Sequence, residues 1–514
     1  MTMKDRIQEL RAKQAKLYEG GGPERIEKQH ESGKLTARER IQQLVDPDSF
    51  HELLLFAEHR ATLFGMDGRH FAAEAVVTGT ATIEGRAVHV ASHDFTVAGG
   101  SAGEVHCDKI VEMMKGALKT GTPFVLLNDS AGARVQEGID SLAAYGRIFY
   151  YNTLLSGVVP QISLICGPCA GGAVYSPALT DFIIQTRQAR MFITGPDVIK
   201  QVTGEQISME RLGGPDAHMR HSGVCHFVAE DDYDAINICR KLLSFLPSNN
   251  LEPARREPFG DTIELDESLN EIVPTDPKKP YDMRDIILRV IDHADFLEVH
   301  AQFAENVIVG FARIMGRTVG IIANQPKYMA GCIDINSSDK AARFIRFCNA
   351  FNIPLVTFVD VPGFLPGVQQ EYGGIIRHGA KMLFAYSQCT VPKVTVIVRK
   401  AYGGAYLAMC AKDLGADRVA AWPSAEVAVM GAEGAASIVF RREIEKAGDP
   451  EAKRQELIEH YRTTFATPYI AAARRLVDDV IEPAETRLFL AHSLEAMHSK
   501  RETRPSKKHG NIPL

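Results

Sequence analysis

The chain has 514 residues, 45% of them apolar and 24% charged, enough for two large domains or about three average ones. With 58 Lys and Arg against 64 Asp and Glu the net charge is −6, which excludes a general electrostatic attraction to nucleic acid. No stretch approaches 18 uncharged apolar residues, and the acids and bases of residues 1–14 alternate around no apolar core. The sequence therefore predicts no membrane-spanning helix, no secretory signal and a cytoplasmic setting. Nine cysteines are an odd and sparse set, in keeping with reduced thiols rather than a disulfide scaffold.

In chain order, Thr82–Ala91 reads as a hairpin around Glu84-Gly85, with alternating apolar residues on each arm. Gly99–Gly103 could cradle a phosphate but lacks the spacing of a dinucleotide fingerprint. Lys109–Leu118 has helical apolar spacing, and Pro123–Leu127 reads as a short buried strand. Asp129-Ser130 then leads into Ala131-Gly132-Ala133-Arg134. Ser130 is a candidate nucleophile, but its counterpart at position 361 is Val, which favours a turn-stabilising hydroxyl. Gln161–Ile165 is a second buried strand. It runs into Cys166-Gly167-Pro168-Cys169, letters of a redox site without the context of one: no aromatic residue precedes it, and it lies mid-chain. His218 and His221 could share a helical face, but no third ligand has suitable spacing, and a polar loop is the expected reading. The sequence predicts no metal site.

The chain repeats itself. Glu39–Asp46 with Phe50-His51-Glu52 returns as Asp285–Asp292 with Phe296-Leu297-Glu298, an offset of 246. At offset 231, Gly79–Arg86 matches Gly310–Arg317, Asp108-Lys109 matches Asp339-Lys340, and Asp129 matches Asp360. At offset 232, Gly171-Gly172-Ala173 matches Gly403-Gly404-Ala405. Chance rarely holds one offset within a residue over about 90 positions, so the chain is two homologous halves. Six of the 25 prolines fall between 247 and 280, an extended connector that places the boundary after residue 255, giving domains 1–255 and 256–514. Buried apolar runs alternating with helices make each half α/β.

Each half carries a buried strand, a Gly-rich turn and a helix-forming run: 161–165, 167–172 and 173–179, then 394–398, 401–404 and 405–409. Such a turn aims free backbone N–H groups at whatever lies above the helix start, and glycine lets a ligand approach them. Two such groups can stabilise an oxyanion. An isolated Gly-Gly is usually only a tight turn, but its recurrence in both halves favours function. No Walker-type phosphate loop and no G-x-S-x-G nucleophile elbow occurs, so backbone amides are the candidate catalysts.

The sequence resembles the carboxyltransferase subunit of biotin-dependent acyl-CoA carboxylases, the propionyl-CoA carboxylase and methylmalonyl-CoA transcarboxylase and decarboxylase group of the crotonase-like superfamily. The resemblance runs from Gly33–Ile41 to Lys508–Leu514. It is strongest in Gly167–Pro177, Asp334–Arg343, Asp360–Gly367, Ala421-Trp422-Pro423 and Ala428–Gly431. It implies two crotonase-like domains, and carboxyl transfer between carboxybiotin and the α-carbon of a short acyl-CoA, propionyl-CoA/methylmalonyl-CoA foremost. The alternative is the same subunit in a methylmalonyl-CoA or glutaconyl-CoA decarboxylase, or in a transcarboxylase.

Carried over, Gly171 and Gly172 donate to the thioester enolate oxygen, and Gly404 and Ala405 to the biotin ureido oxygen, whose N1 serves as the base. Ala131, Gly132, Ala133 and Arg134 fall where the family holds CoA, and Gly363 and Phe364 on the biotin side. Leu407, where propionyl-CoA carboxylases usually have Asp, lies by the acyl pocket. Met113-Met114-Lys115-Gly116 lacks the full biotinylation signature and falls in a predicted helix, so Lys115 reads as a surface lysine. A biotin carboxylase and a biotin carboxyl carrier are thus implied as separate partners. The family's usual assembly, a homo-hexamer with active sites completed between protomers, is implied as well.

Overall fold

A computed structural model describes residues 2–260, 262–277 and 279–514. The backbone divides into two compact units, 1–252 and 253–514. In the first, β1 (His51–Leu53), β2 (Val76–Ile83), β3 (Arg86–His93), β4 (Phe124–Asn128) and β5 (Gln161–Ile165) are followed by β6 (Pro168–Ala170), β7 (Phe182–Thr186), β8 (Arg190–Phe192) and β9 (Phe227–Ala229). Seven of these form one sheet ordered β1-β2-β3-β4-β5-β7-β9, while β6 and β8 pair apart from it. The second unit has β10 (Leu297–Val299), β11 (Val307–Ile314), β12 (Arg317–Asn324), β13 (Leu355–Val361), β14 (Lys393–Tyr402), β15 (Arg418–Ala421), β16 (Glu426–Ala428) and β17 (Asp479–Val480). Its sheet runs β10-β11-β12-β13-β14-β15-β17, the same order, with β16 paired to the far end of β14.

Only the two pairings at the start of each sheet are antiparallel; from β3 and from β12 onward every pair is parallel. Parallel strands are covered on both faces, which is why β4, β5 and β7 are buried at every position, their few polar residues (Asn128, Gln161, Ser163, Gln185, Thr186) included. The hairpin turn is Glu84-Gly85, as the sequence predicts. The helix Glu104–Thr120 seals one face with Cys107, Ile110, Val111, Met114 and Ala117, and stops at Gly121 in the left-handed region (φ 65°). Its counterpart Ile335–Ala350 is capped by Asp334, whose side chain accepts from the Ser337 amide. Each helix sends one buried lysine back across the strand edge. Lys109 Nζ donates to the carbonyls of Ala73 and Val76 at 2.6 Å, and Lys340 Nζ to those of His300 (3.0 Å) and Phe303 (2.7 Å). Burial lowers Lys109 to about 8 and Lys340 to about 7.

Three expectations change. The run 173–179 is a 3-10 turn, Gly171–Val174, followed by a short helix, Tyr175–Leu179, because the left-handed Gly171 (φ 62°) precedes it. Tyr402 and Ala401 belong to β14 rather than to a turn, since β16 gives them a parallel partner. His218–Ser222 is a π-helical turn, not a loop: the His218 ring nitrogens meet the Met191 carbonyl (2.7 Å) and the Ser222 hydroxyl (2.8 Å). Among the described residues no cluster of three metal-ligating side chains occurs, and no helix is long and apolar enough to cross a membrane.

Candidate active site

The two Gly-rich turns share one local conformation. Gly171 and Gly403 both take positive φ, 62° and 59°, and the residues after them, Gly172 and Gly404, are exposed with nothing within 4 Å of where a Cβ would stand. As opening residues of a helical segment, Gly171–Ala173 and Gly403–Ala405 have amides without an i−4 acceptor in their own helix. Each turn thus has helix-opening amides without an intrahelical acceptor and open space at its second glycine, Gly172 or Gly404, features a site for an oxyanion would use. Leu407, 41% exposed, stands on the helix that Gly403 begins.

A second loop accompanies each turn, again in duplicate. The Ala102 amide donates to the Gly132 carbonyl (2.9 Å) and the Arg134 amide to that of Ala102 (2.8 Å); the Ile333 amide donates to the Gly363 carbonyl (3.1 Å) and the Leu365 amide to that of Ile333 (2.8 Å). A Cβ on Gly132 would come within 3.3 Å of the Ala170 carbonyl, so this loop lies against the first amide turn. Ala131 and Ala133 are exposed; Gly132 is buried; Gly363 and Phe364 are half-buried. Ser130 is the turn-stabilising hydroxyl that the sequence favours: Oγ donates to the Gly100 carbonyl (2.6 Å) and accepts from the Gly132 amide (3.1 Å).

Arg134 is not placed where a side chain could meet a CoA phosphate. It is 2% exposed, and its NH1 bonds Glu74 and Glu137, each at 2.8 Å. NH2 donates to the Ser101 carbonyl (3.0 Å), so the guanidinium ties the 101–103 and 131–134 segments together from beneath. Glu137 is three residues along the chain and Glu74 is 60 residues back, and neither was read as a partner from the sequence.

Cations nearer solvent line a cavity, with Lys28 paired to the exposed Glu24 (2.9 Å), Lys34 to Asp129 (3.0 Å) and Arg25 NH1 on the Thr96 carbonyl (3.3 Å). A cavity of about 600 Å³ in the first unit is lined by Arg25, Lys28, Gln29, Ser32, Lys34, Phe95, Thr96, Ala98 and Gly99. Gly99 leads from this cavity to the site: its carbonyl accepts the Ala131 amide at 2.9 Å, and Gly132 is next to the first amide turn. Arg25 and Lys28 carry no motif and were missed in the sequence; only their i, i+3 spacing beside a glycine cluster hints at them.

Cys166 and Cys169 do not form a redox pair. Both are 1% exposed and unpaired, and burial pushes Cys169 up to about 12 and Cys166 well above the ordinary thiol range. Protonated, inaccessible thiols are poor nucleophiles. Lys115 lies in the helix Glu104–Thr120, ion-paired to Glu112, as a surface lysine.

Residues 28–512 match the model of the carboxyl transferase domain family. The chain belongs to that family. The carboxyltransferase is 62% identical over 512 residues to the methylmalonyl-CoA carboxyltransferase 12S subunit of Propionibacterium freudenreichii subsp. shermanii, covering 100% of this chain and 98% of the relative. It is 56% identical to the carboxyltransferase subunit of propionyl-CoA carboxylase from Haloferax mediterranei and 57% identical to the alpha subunit of methylmalonyl-CoA decarboxylase from Veillonella parvula, each match covering 100% of both chains. A solved transcarboxylase 12S structure, a hexamer with methylmalonyl-CoA and methylmalonic acid bound, superposes with a TM-score of 0.99 at 61% identity, covering 100% of this chain and 99% of that one. The carboxyltransferase therefore has the crotonase-like fold in duplicate, and it is an enzyme of carboxyl transfer.

Proposed function

We propose that this carboxyltransferase moves a carboxyl group between carboxybiotin, borne by a separate carrier protein, and the α-carbon of propionyl-CoA or methylmalonyl-CoA. The observation that carries the reading is the repeated amide turn with open space above it, one in each half. In the first half, the Gly171 and Gly172 amides donate to the thioester oxygen as it gains enolate charge. Each such donor is worth roughly 3–4 kcal/mol of barrier where water is excluded. In the second half, Gly404 and Ala405 donate to the ureido oxygen, with Gly363 and Phe364 beside them. Bound biotin supplies both the carboxyl group and the base, which is why this chain needs no side-chain base of its own.

The acyl-CoA lies along the exposed Ala131–Ala133 edge. Its phosphates reach Arg25 and Lys28 in the 600 Å³ cavity, an assignment that replaces the Arg134 side chain. Leu407 borders the acyl pocket. A biotin carboxylase and a biotin carboxyl carrier are the implied partners, in a cytoplasmic setting suited to nine unpaired cysteines. Exposed apolar residues in both units, among them Val135, Ile139 and Leu142 in one and Val368, Tyr372 and Ile376 in the other, support a homo-oligomer. We take it as a hexamer in which the acyl-CoA half of one protomer serves the biotin half of another.

A second reading places the same subunit in a biotin-dependent decarboxylase or transcarboxylase, favoured by the identity to those relatives. The half-reaction is the same, and its direction is set by the partner.

The test uses the purified oligomer with free biotin and methylmalonyl-CoA, malonyl-CoA or glutaconyl-CoA in turn. Biotin-dependent loss of the carboxyl group from methylmalonyl-CoA is expected. Turnover confined to another substrate would replace the acyl group in this reading, and turnover without biotin would overturn it.

A further inference from the structure

The strand that feeds the second amide turn is bulged. Val359 of β13 stands opposite Ile397 of β14, yet Val361 stands opposite Ala401, so two steps on one strand span four on the other. Asp360 fills the gap. Its Oδ1 accepts from the Lys400 amide (3.1 Å), and its Oδ2 accepts from Arg399 Nε (3.0 Å) and the Tyr281 hydroxyl (3.0 Å). Three residues beyond Lys400 the chain reaches Gly403, so this carboxylate grips β14 just where its last residues, 400–402, pair with β16 and lead into the amides of 403–405.

The first half keeps the carboxylate but not its partners. Asp129 is the counterpart of Asp360 at offset 231, and Gly167 and Pro168 are those of Arg399 and Lys400 at offset 232. Proline has no N–H to give. A Cβ on Gly167 would lie 2.0 Å from Asp129 Oδ1, so the carboxylate presses on the very residue that replaces the arginine. Cations arrive instead from the N-terminal segment: Arg40 NH2 from the helix Ala37–Leu44 at 3.0 Å and Lys34 Nζ from the loop before it at 3.0 and 3.1 Å, with Gln29 Nε2 from the helix Pro23–Glu31 at 3.0 Å. Both aspartates are wholly buried. A buried carboxylate costs several kcal/mol unless it is paired. Each half nonetheless has one at the neck of the same turn, Asp360 neutralised by Arg399 and Asp129 by Lys34 together with Arg40, which also binds the buried Asp232 through Nε (2.8 Å). Packing alone would be met by a neutral acceptor.

We propose that Asp129 and Asp360 are positioning residues, each a carboxylate clamp that holds its half's amide turn in register for the oxyanion it serves. The inference rests on the assignment above of acyl-CoA to the first half and biotin to the second. Asp360→Asn keeps an acceptor for the Lys400 amide but turns an NH2 toward Arg399 and Tyr281. It should lower kcat by about 10- to 100-fold and raise the KM for free biotin, leaving the KM for methylmalonyl-CoA within about twofold. Asp129→Asn should raise the KM for methylmalonyl-CoA and spare that for biotin. The milder Tyr281→Phe, which removes one hydrogen bond to Asp360, should reproduce the Asp360→Asn directions at about 3- to 10-fold in folded protein, whereas Gln29→Leu, whose side chain also lines the cavity given to the CoA phosphates, is read by amide exchange in 168–176 alone.

Amide hydrogen exchange gives a readout independent of turnover. Asp360→Asn should quicken exchange in 401–409 and leave 168–176 unchanged, with the reverse for Asp129→Asn. Exchange altered in the proper turn while the two KM effects trade places would keep the clamps and overturn the assignment of halves. Equal effects on both substrates, or unaltered exchange in either turn, would overturn the clamps.

Discussion

Gly167 and Gly172 are five residues apart, and the structure gives them opposite duties. A methyl group on Gly167 would sit 2.0 Å from Asp129 Oδ1 and 2.6 Å from its Cγ, about 1 Å inside contact. The carboxylate cannot retreat, being held by Lys34, Arg40 and Gln29. Overpacking of this kind costs about 1–3 kcal/mol, and weakening charged hydrogen bonds costs about as much again. Taking roughly 3 kcal/mol as the sum, Gly167→Ala should lower the midpoint of thermal unfolding by about 6–12 °C for a unit of this size. Gly172→Ala meets no atom within 4 Å, and its φ lies outside the left-handed region, so its midpoint should stay within about 2 °C of wild type. Its methyl group instead enters the space where the thioester oxygen is to sit, and kcat should fall about 10²- to 10³-fold. Scanning calorimetry and biotin-dependent decarboxylation of methylmalonyl-CoA read the two effects. Activity of Gly172→Ala within about twofold of wild type would refute the placement of that amide. An unmoved midpoint for Gly167→Ala would refute the packing argument.

Other outcomes follow from the same geometry. Leu407→Asp should shift the ratio of kcat/KM among acyl-CoA substrates by about 10- to 200-fold with assembly intact; unchanged ratios would remove Leu407 from the acyl pocket. Arg134→Met leaves Glu74 and Glu137 buried without their cation and should cost about 3–5 kcal/mol in urea unfolding. At low temperature, where that variant is folded, its KM for acyl-CoA should stay within about threefold, because the side chain touches no substrate. His93 is fully buried and lowered to about 4, chiefly by desolvation, with Asp129 opposing and Arg40 adding to the shift. The unfolded chain therefore binds a proton between pH 6.5 and 4 that the folded one does not. Stability from this residue is full above about 6.5 and declines to a loss of about 3 kcal/mol by pH 4. His93→Asn should flatten that slope in pH-dependent unfolding, and an unchanged slope would assign the acid sensitivity to other groups.

Much of this was open to reading from the chain alone. The strand β4 is legible because a parallel strand covered on both faces reads as a nearly continuous apolar run, and β5 because three of its five residues are Ile or Leu and a glycine-rich turn follows. The duplication is legible because glycine turns and Asp-Lys pairs resist drift where backbone geometry or a buried charge depends on them. What escaped was every interaction made across long sequence distance. The resemblance puts Arg134 on the CoA side, and its burial against Glu74 is hidden because Glu74 lies 60 residues before it. The β6–β8 pair was invisible, as three-residue strands carry no periodicity. Asp129 and Asp360 were visible as a repeated letter, but nothing local tells that one is met by its own strand neighbour Arg399 and the other by Arg40 from a helix near the start of the chain.

The rows of peptide N–H groups have a consequence for how such a site can be found or silenced. Reagents that map enzyme sites by alkylating thiols, acylating amines or esterifying carboxyls have no target atom in Gly171, Gly172, Gly404 or Ala405. An inhibitor here must compete as a shape bearing a well-placed negative oxygen rather than by capturing a nucleophile. On the proposed reading, resistance by simple side-chain exchange is correspondingly narrow, since every residue but proline supplies the same N–H and any group larger than hydrogen at Gly172 or Gly404 would enter the open space assigned to the substrate.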